Sequence, residues 1–336
     1  MTTPSLPILD LSSLGGPDHA AFLAELRDAA RNVGFFYLVG HGVPAQLEAE
    51  VHREARAFFA LPEAQKLDVE MIQSPHFRGY TRAGREITRG APDWREQFDI
   101  HAEREALPQR PGLPAWTRLQ GPNQWPAEHP MLRPTLLAWQ AALTVVATRL
   151  LSAFAEALEQ PKGAFEAITR DLPNQAMKII RYPGRITEDS EQGVGAHKDS
   201  GLLTLLVQDT AGGLQVQGEN GWIDATPIPG SFVVNIGELL ELASNGYLKA
   251  TVHRVVSPPV GRDRLSIAFF LGARLDATVP LLDLPPHLAA EATGPTADPL
   301  NPLFRNVGEN YLKGRLRSHP DVAERHYADL LAGAPA

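Results

Sequence analysis

The chain has 336 residues, 43% of them hydrophobic and 21% charged, a balance typical of a globular protein that excludes wholesale disorder. Its formal net charge of −8 argues against binding to nucleic acid or to an anionic membrane surface, because both partners require a basic surplus. The absence of cysteine excludes disulfides, thiolate metal sites and a cysteine nucleophile.

The first third of the chain mixes predicted helices with short strands. Apolar residues recur at helical spacing in residues 18–33, and a glycine follows them. The apolar run 35–39 predicts a buried strand, and residues 46–60 predict a second helix that ends before a proline. Residues 77–125 show no clear periodicity and are rich in arginine, proline and glycine.

The longest predicted helix covers residues 133–158, with Pro134 in its first turn. Its uncharged stretch, residues 134–148, has 15 residues, fewer than the roughly 18 to 20 that a membrane-spanning helix needs. The first residues of the chain lack the basic and apolar segments of a signal peptide. We therefore expect a cytoplasmic protein that does not span a membrane.

From residue 174 onward, short apolar runs alternate with turn residues, which is the pattern of a β-rich fold. Residues 219–221 predict a hairpin turn, and residues 238–243 predict a short helix that Asn245 and Gly246 end. The predicted strands are residues 177–181, 202–207, 214–217, 222–225, 232–236, 250–256 and 265–271.

These elements predict an α+β fold with a mainly β core, a double-stranded β-helix or jelly roll, covered by N-terminal helices and flanked by supporting helices. We divide the chain into an N-terminal region, a supporting-helix region, the jelly-roll core and a C-terminal extension, as parts of one structural unit. Their bounds are residues 1–125, 126–173, 174–275 and 276–336.

Three polar residues of the β-rich half could bind one metal ion. His197 and Asp199 are two residues apart, so in an extended segment their side chains point to the same face. His253, in a later predicted strand, offers a third ligand. Two imidazoles and one carboxylate on one face of a metal are the ligand set of non-heme Fe(II) oxygenases, because three octahedral positions stay open for a co-substrate and dioxygen.

A second pair of residues could bind a carboxylate. Arg264 and Ser266 alternate with the apolar Leu265 and Ile267, so they share the opposite face of a predicted strand. A guanidinium fork beside a hydroxyl is suited to hold a carboxylate group.

Two other histidine–acid motifs compete with this assignment. His319 and Asp321 flank a proline that does not suit a strand, and His101 with Glu103 lies in an irregular, highly charged stretch. Neither motif has a third ligand at a useful spacing, so we expect neither to bind the metal.

The sequence resembles the isopenicillin N synthase-like family of the 2-oxoglutarate- and Fe(II)-dependent dioxygenases over nearly its whole length. The motifs that carry this resemblance are residues 7–11, 34–43, 121–126, 197–209, 212–216, 235–238, 244–246, 253–255 and 264–266. By this resemblance, residues 1–125 correspond to the N-terminal non-heme dioxygenase region and residues 174–275 to the Fe(II)/2-oxoglutarate dioxygenase core.

The resemblance implies a role for each candidate residue. The two histidines and the aspartate would bind Fe(II), Arg264 and Ser266 would hold the far carboxylate of 2-oxoglutarate, and Tyr182 would help to position co-substrate or substrate. The implied enzyme consumes 2-oxoglutarate and O2, hydroxylates a small organic substrate, or desaturates or cyclises it, and releases succinate and CO2. Ile180 stands where many members have asparagine, and Lys198 replaces a small hydroxyl residue but should point away from the metal.

Several alternatives stay open at this point. An oxidase of the isopenicillin N synthase type would use no 2-oxoglutarate, and Arg264 and Ser266 would then grip the carboxylate of its substrate. A non-catalytic jelly-roll receptor for a small molecule would not need the intact ligand set. A zinc hydrolase is less well supported because no general base is apparent beside it. Tyr182 could instead be a core tyrosine whose hydroxyl binds a backbone carbonyl, and Arg181 is expected to form a salt bridge.

By the same resemblance, residues 77–104 would lie over the mouth of the active site. They contain six arginines, which we expect to be solvated surface groups, although one of them could grip an anionic, carboxylated small-molecule substrate. These are Arg78, Arg82, Arg85, Arg89, Arg95 and Arg104. We expect no nucleic-acid or membrane partner, and we expect a monomer.

Overall fold

A computed structural model of the chain describes residues 5–185, 192–299 and 301–331. Within these ranges the chain forms fourteen strands and ten α-helices. The strands are β1 (Ile8–Asp10), β2 (Phe35–Val39), β3 (Gly79–Thr81), β4 (Ile87–Thr88), β5 (Ala91–Pro92), β6 (Glu96–Ile100), β7 (Asn174–Tyr182), β8 (Gln192–His197), β9 (Leu203–Gln208), β10 (Leu214–Gly218), β11 (Gly221–Asp224), β12 (Phe232–Ile236), β13 (His253–Val256) and β14 (Arg264–Gly272). The helices are α1 (His19–Asn32), α2 (Ala45–Phe59), α3 (Glu63–Leu67), α4 (Leu132–Ala157), α5 (Glu166–Thr169), α6 (Glu238–Ala243), α7 (Pro286–Ala289), α8 (Val307–Ser318), α9 (Pro320–His326) and α10 (Ala328–Leu331).

Two sheets form the core of the protein. The larger has eight strands in the order β1-β2-β12-β9-β14-β7-β6-β3, and the smaller has four in the order β11-β10-β13-β8. Tyr37, Ile180 and Ala268 of the large sheet pack in one buried cluster with Val216 and Val255 of the small sheet. The two sheets therefore face each other as the predicted jelly roll, and we call the region between their inner faces the chamber.

The outer face of the large sheet is covered by helices. Helix α4 packs against β7, β9 and β14, and α1 and α2 pack against α4. By length and composition α4 is the one helix in the described ranges that could cross a membrane, and half of its most apolar window is buried inside the protein. Packing on the sheet accounts for its apolar character, since a core helix has the same composition as a spanning one.

The C-terminal helices pack against residues 71–119. Leu312 of α8, Val322 of α9 and Tyr327 pack in one buried cluster with Phe77 and Leu119. The extension thus shares a core with the N-terminal region, and it is positioned beside β3 and β6 of the large sheet.

The predicted long helices and the predicted strands after residue 200 are confirmed to within a few residues at each end. The sequence did not predict two strands that matter for the site. The β6 strand lies in the stretch without clear periodicity, and all five of its residues are buried, including polar ones. The β8 strand is rich in glycine, which has a low preference for strands.

Candidate active site

The three predicted metal ligands meet in the chamber between the sheets. His197 is the last residue of β8 and His253 the first of β13, and the two are direct neighbours across this antiparallel pair. Asp199 follows β8, and its Oδ1 lies 3.6 Å from His197 Nε2 and 3.7 Å from His253 Nε2. The ligand atoms all lie within 4.8 Å of one another, and no other such group of three occurs among the described residues.

Neighbouring groups orient each of the three side chains. The Nδ1 atom of His197 lies 2.8 Å from the Gly195 carbonyl, and that of His253 lies 3.2 Å from the Thr251 carbonyl, so both Nε2 atoms face the centre. Hydrogen bonds to both backbone carbonyls place the proton on Nδ1 and leave Nε2 free to bind a metal.

Asp199 is held by two polar side chains of the large sheet. Its Oδ2 accepts a hydrogen bond from Thr204 Oγ1 at 2.5 Å and another from Asn235 Nδ2 at 2.8 Å. These bonds leave Oδ1 directed at the two histidines. Sequence reasoning did not identify Thr204 and Asn235, although a polar residue inside an apolar strand was a signal of a buried hydrogen bond.

The electrostatics of the site suit a cation. Burial raises the pKa of Asp199, but the nearby His253 and His197 and its hydrogen bonds outweigh burial and hold that pKa well below its usual range. Burial and the charge of His197 lower the pKa of His253 to about 4. For His197 burial lowers the pKa, but Asp199 outweighs it and the pKa is raised. An ionised carboxylate beside a neutral imidazole is a donor set prepared for a divalent metal.

The second predicted pair lies on the inner face of β14, the face that packs toward the small sheet. Arg264 is 0% exposed, and its Nη1 lies 3.1 Å from Ser266 Oγ and its Nη2 lies 3.2 Å from Gln208 Oε1. Its Nε has no hydrogen-bond partner, and no carboxylate among the described residues pairs with it. A buried guanidinium with an unused donor and no counter-ion fits an anionic ligand such as the carboxylate of 2-oxoglutarate.

Tyr182 lies directly against this pair. Its ring lies under the Arg264 guanidinium, with Cζ 4.7 Å from the ring centroid. Arg181, on the other face of β7, forms salt bridges of 2.6 Å with both Glu96 and Asp263, as predicted.

The competing histidines lie outside the three-ligand cluster. His319 is 1% exposed and lies 3.6 Å from Glu86, and His101 lies 3.1 Å from Asn174. Asp321 accepts a hydrogen bond from a backbone N–H in the first turn of α9. Each side chain therefore has a local structural partner.

Two charged residues, Lys198 and Glu238, adjoin Asp199. Lys198 points to Glu241, 3.1 Å away, as expected. The backbone N–H of Glu238 bonds the Asp199 carbonyl, and burial raises the pKa of Glu238 to about 7 against the opposing charges of Lys198 and Lys313.

The six arginines of residues 77–104 have different environments. Arg85 and Arg89 are exposed, as predicted, whereas Arg78 and Arg95 are buried, so the prediction of a solvated surface is wrong for these two. Arg78 donates to the carbonyls of residues 76 and 119, and Arg104 donates to the carbonyl of residue 173. The acid pairs are Arg82–Glu70, Arg89–Asp298, Arg95–Glu86 and Arg95–Asp93.

Known protein families match both halves of the chain. The family described as the non-haem dioxygenase in morphine synthesis N-terminal region matches residues 6–128. The 2OG-Fe(II) oxygenase superfamily matches residues 173–273, which contain the three-ligand cluster and the Arg264–Ser266 pair.

Relatives and solved structures agree with these matches. A 2-oxoglutarate-dependent dioxygenase of Dothideomycetidae sp. is 37% identical over 99% of this chain and 95% of its own, and a homoarginine-6-hydroxylase of Arabidopsis thaliana is 37% identical over 83% of this chain and 88% of its own. The crystal structure of a full-length Neurospora crassa protein in complex with α-KG and 5-formyluracil is 28% identical, covers 93% of this chain and 96% of its own, and has a TM-score of 0.75.

The similarity extends beyond the fold. Two relatives that match nearly the full length of the chain are named as 2-oxoglutarate-dependent dioxygenases. They favour the 2-oxoglutarate-dependent interpretation over an oxidase that uses no 2-oxoglutarate. The chain belongs to the 2OG-Fe(II) oxygenase superfamily and is an oxidoreductase that uses Fe(II), 2-oxoglutarate and O2.

Proposed function

We propose that this dioxygenase hydroxylates a small carboxylated molecule, with His197, Asp199 and His253 as the Fe(II) ligands and Arg264 and Ser266 as the binding pair for 2-oxoglutarate. The observation that carries the proposal is the buried Arg264 guanidinium without a carboxylate partner, which lies in the same chamber as the three-ligand cluster. A dianionic co-substrate would supply the missing counter-ion.

When bound, Fe(II) with 2-oxoglutarate and O2 supplies the oxidising chemistry, in which 2-oxoglutarate is converted to succinate and CO2. The chain contributes position and environment. Thr204 and Asn235 fix the Asp199 carboxylate so that one oxygen faces the metal position. Arg264 and Ser266 fix one end of the co-substrate, and Tyr182 packs against that guanidinium.

Hydroxylation is the outcome that relatives favour over desaturation or ring closure. Four plant relatives, at 35–37% identity, are homoarginine-6-hydroxylases. Crystal structures of one similar protein, from Neurospora crassa, contain thymine or 5-formyluracil, which are small polar molecules. We also propose that the protein is cytoplasmic and monomeric. Light scattering on a gel-filtration peak would test the monomer, whose expected mass is the chain mass of 36.6 kDa.

The metal assignment is tested by replacing one ligand. His253→Ala leaves two protein ligands, so we expect loss of stoichiometric Fe(II) and of 2-oxoglutarate turnover while circular dichroism stays unchanged. The control is His287→Ala, because His287 is exposed and contacts only Glu159 in the described part of the chain. Full Fe(II) content together with normal succinate release in His253→Ala would show that the assignment is wrong.

A further inference from the structure

A chain of alternating charges lies inside the chamber, beside the proposed 2-oxoglutarate subsite. It runs through Arg95, Glu86, Lys178, Asp99 and Arg315, and we call these five residues the ionic wall. Successive N–O distances along it are 2.8, 3.0, 3.5 and 3.1 Å. Every member is less than a tenth exposed.

Strand register shows that the wall faces the chamber. Lys178 pairs with Ala268 of β14 and with Asp99 of β6, so it lies on the same face as Arg264 and Ser266. The wall also lies near the proposed co-substrate subsite, because Lys178 shares a face of β7 with Tyr182, whose ring packs against Arg264. A molecule bound on the wall would therefore lie next to bound 2-oxoglutarate.

Stability alone does not account for the wall. Burying ions costs desolvation energy, and well-packed apolar side chains in the same place often give equal or higher stability. Apolar side chains do fill the opposite face of β7 and β14, with Ile179 and Ile267 in the main core cluster. Lys178 and Asp99 thus lie on the face that lines the chamber, whereas the buried Glu96 pairs with Arg181 and Lys66 on the other face.

Two buried polar atoms at the wall have no hydrogen-bond partner among the described residues. They are Arg95 Nε, a donor, and Gln97 Oε1, an acceptor. Gln97 is 0% exposed, and its Nε2 donates to Asp99 at 2.8 Å, which directs Oε1 as the free end of the amide. An unused donor and an unused acceptor two residues apart in the chain indicate a ligand with both an acceptor and a donor.

Both ends of the wall are positive, and the Arg315 end has a further positive charge beside it. The buried Arg78, which in the described part of the chain has only backbone carbonyls as hydrogen-bond partners, acts on Arg315 and Asp99. The two histidines near Arg315, His101 and His319, have pKa values lowered by burial and by the charge of Arg315, so they add no positive charge at neutral pH. This end is suited to a carboxylate, and the position of Glu86 is suited to a cationic nitrogen.

We propose that the ionic wall recognises a substrate that carries both a carboxylate and a cationic nitrogen, which makes an amino acid the substrate class of this dioxygenase. The inference rests on the proposed function and adds the substrate class. Arg315 lies in the C-terminal extension, outside both matched family regions, so part of the specificity is encoded there. The carboxylate binds at the Arg315 end, and the nitrogen binds at Glu86.

Four probes of similar length test the class on the wild-type protein. They are L-homoarginine, L-norleucine, hexanoate and pentylguanidine, each titrated by calorimetry into the full chain with Fe(II) and 2-oxoglutarate in the absence of O2. We expect at least one amino acid to bind ten times more tightly than hexanoate, which lacks the cation, and pentylguanidine, which lacks the carboxylate. Equal binding of a single-charge probe, or no binding of any probe at millimolar concentration, would overturn the inference.

Variants of the wall test its residues. Glu86→Gln keeps the shape of the side chain and removes its charge, so we expect the Kd of the amino acid to rise at least tenfold while that of 2-oxoglutarate changes less than twofold. Glu219→Gln, at an exposed hairpin, is the matched control. Lys178→Met should also weaken binding, and Lys178→Arg should restore most of it.

These measurements distinguish failure of the proposed function from failure of the ionic wall as the substrate site. A wild-type protein that binds no 2-oxoglutarate would contradict the proposed function itself. Normal 2-oxoglutarate binding with an unchanged amino-acid Kd in both Glu86→Gln and Lys178→Met would contradict only the ionic wall as the recognition site. If Glu86→Gln does not fold, the selectivity among the four probes on the wild-type protein still decides the substrate class.

Discussion

At the scale of single residues, Arg264 is the most informative side chain of the protein. It is fully buried, it has two neutral partners, and its Nε is unpaired. A charge in this state is costly without a ligand, because no acid among the described residues pairs with it. We therefore expect that binding of an anion at Arg264 stabilises the folded protein.

The first prediction concerns the affinity for 2-oxoglutarate. Breaking one side of a buried, hydrogen-bonded charge pair costs about 2–5 kcal/mol, so Arg264→Leu should raise the 2-oxoglutarate Kd at least ~30-fold. Lysine should restore the affinity only in part, because it lacks the planar fork. An anaerobic titration of the Fe(II) protein measures this Kd. If the 2-oxoglutarate Kd is unchanged and the variant loses affinity for its organic substrate instead, the result would favour an oxidase that uses no 2-oxoglutarate.

Spacing together with the family resemblance was enough to predict that His197, Asp199 and His253 meet, but not what surrounds them. The two-residue spacing gave the right pair although Asp199 lies just beyond the end of β8. The partners of Asp199 and the members of the ionic wall come from distant segments. Glu86 lies in a loop and Arg315 in a C-terminal helix, and no local pattern joins them.

At the scale of elements, the end of α1 and the start of β13 are in direct contact. Gly34 follows α1 with a φ of +73°, and a Cβ on it would lie 2.4 Å from the Lys249 carbonyl oxygen and 2.4 Å from Thr251 Oγ1. Thr251 precedes His253 by two residues, and its carbonyl orients that imidazole. The close approach permitted by this glycine therefore helps to position a proposed metal ligand.

The second prediction compares two glycines with similar backbone angles. Gly34→Ala combines backbone strain with a clash, so it should lower the unfolding free energy by more than ~2 kcal/mol and weaken Fe(II) binding. Gly230→Ala is the control, since Gly230 has a φ of +69° but open space around it, and only the strain of about 1 kcal/mol remains. Denaturant unfolding and metal titration provide the two readouts. Equal losses in both variants would contradict the role of the contact.

The elements that could be predicted from sequence are those with one apolar face. Helix α4 and strand β12 show clear patterns because each buries apolar residues against a neighbour. Strand β6 was not predicted because Glu96 forms salt bridges on one face while Gln97 and Asp99 line the chamber on the other. A strand that carries buried polar side chains on both faces has no hydrophobic alternation.

At the scale of the whole molecule, the C-terminal extension completes the chamber. Its helices pack on Phe77 and Leu119 through an apolar cluster, and Arg315 reaches the ionic wall from α8. His319 ends the same helix and lies 3.6 Å from Glu86. The position of the extension is therefore coupled to the buried charges, and conditions that change those charges should change global stability.

The last prediction is the response of global stability to acid. Burial lowers the pKa of His319 from 6.5 to about 4. The charge of Arg315 acts in the same direction, and that of Glu86 opposes it. Between these two values the unfolded chain binds a proton that the folded protein does not, so stability falls as the pH drops from about 6.5 to 4. At full burial this shift corresponds to about 3 kcal/mol.

Replacement of the titrating group isolates its contribution. His319→Asn keeps a polar side chain that does not titrate, so it should lose less stability than the wild type between pH 7 and pH 4.5, by about 2–3 kcal/mol. The other buried histidines contribute equally to both proteins and cancel in the comparison. Urea unfolding at the two pH values, with the same salt, gives the difference. Parallel losses in the two proteins would mean that His319 is protonated in the folded state and that α8 and α9 tolerate its charge beside Arg315.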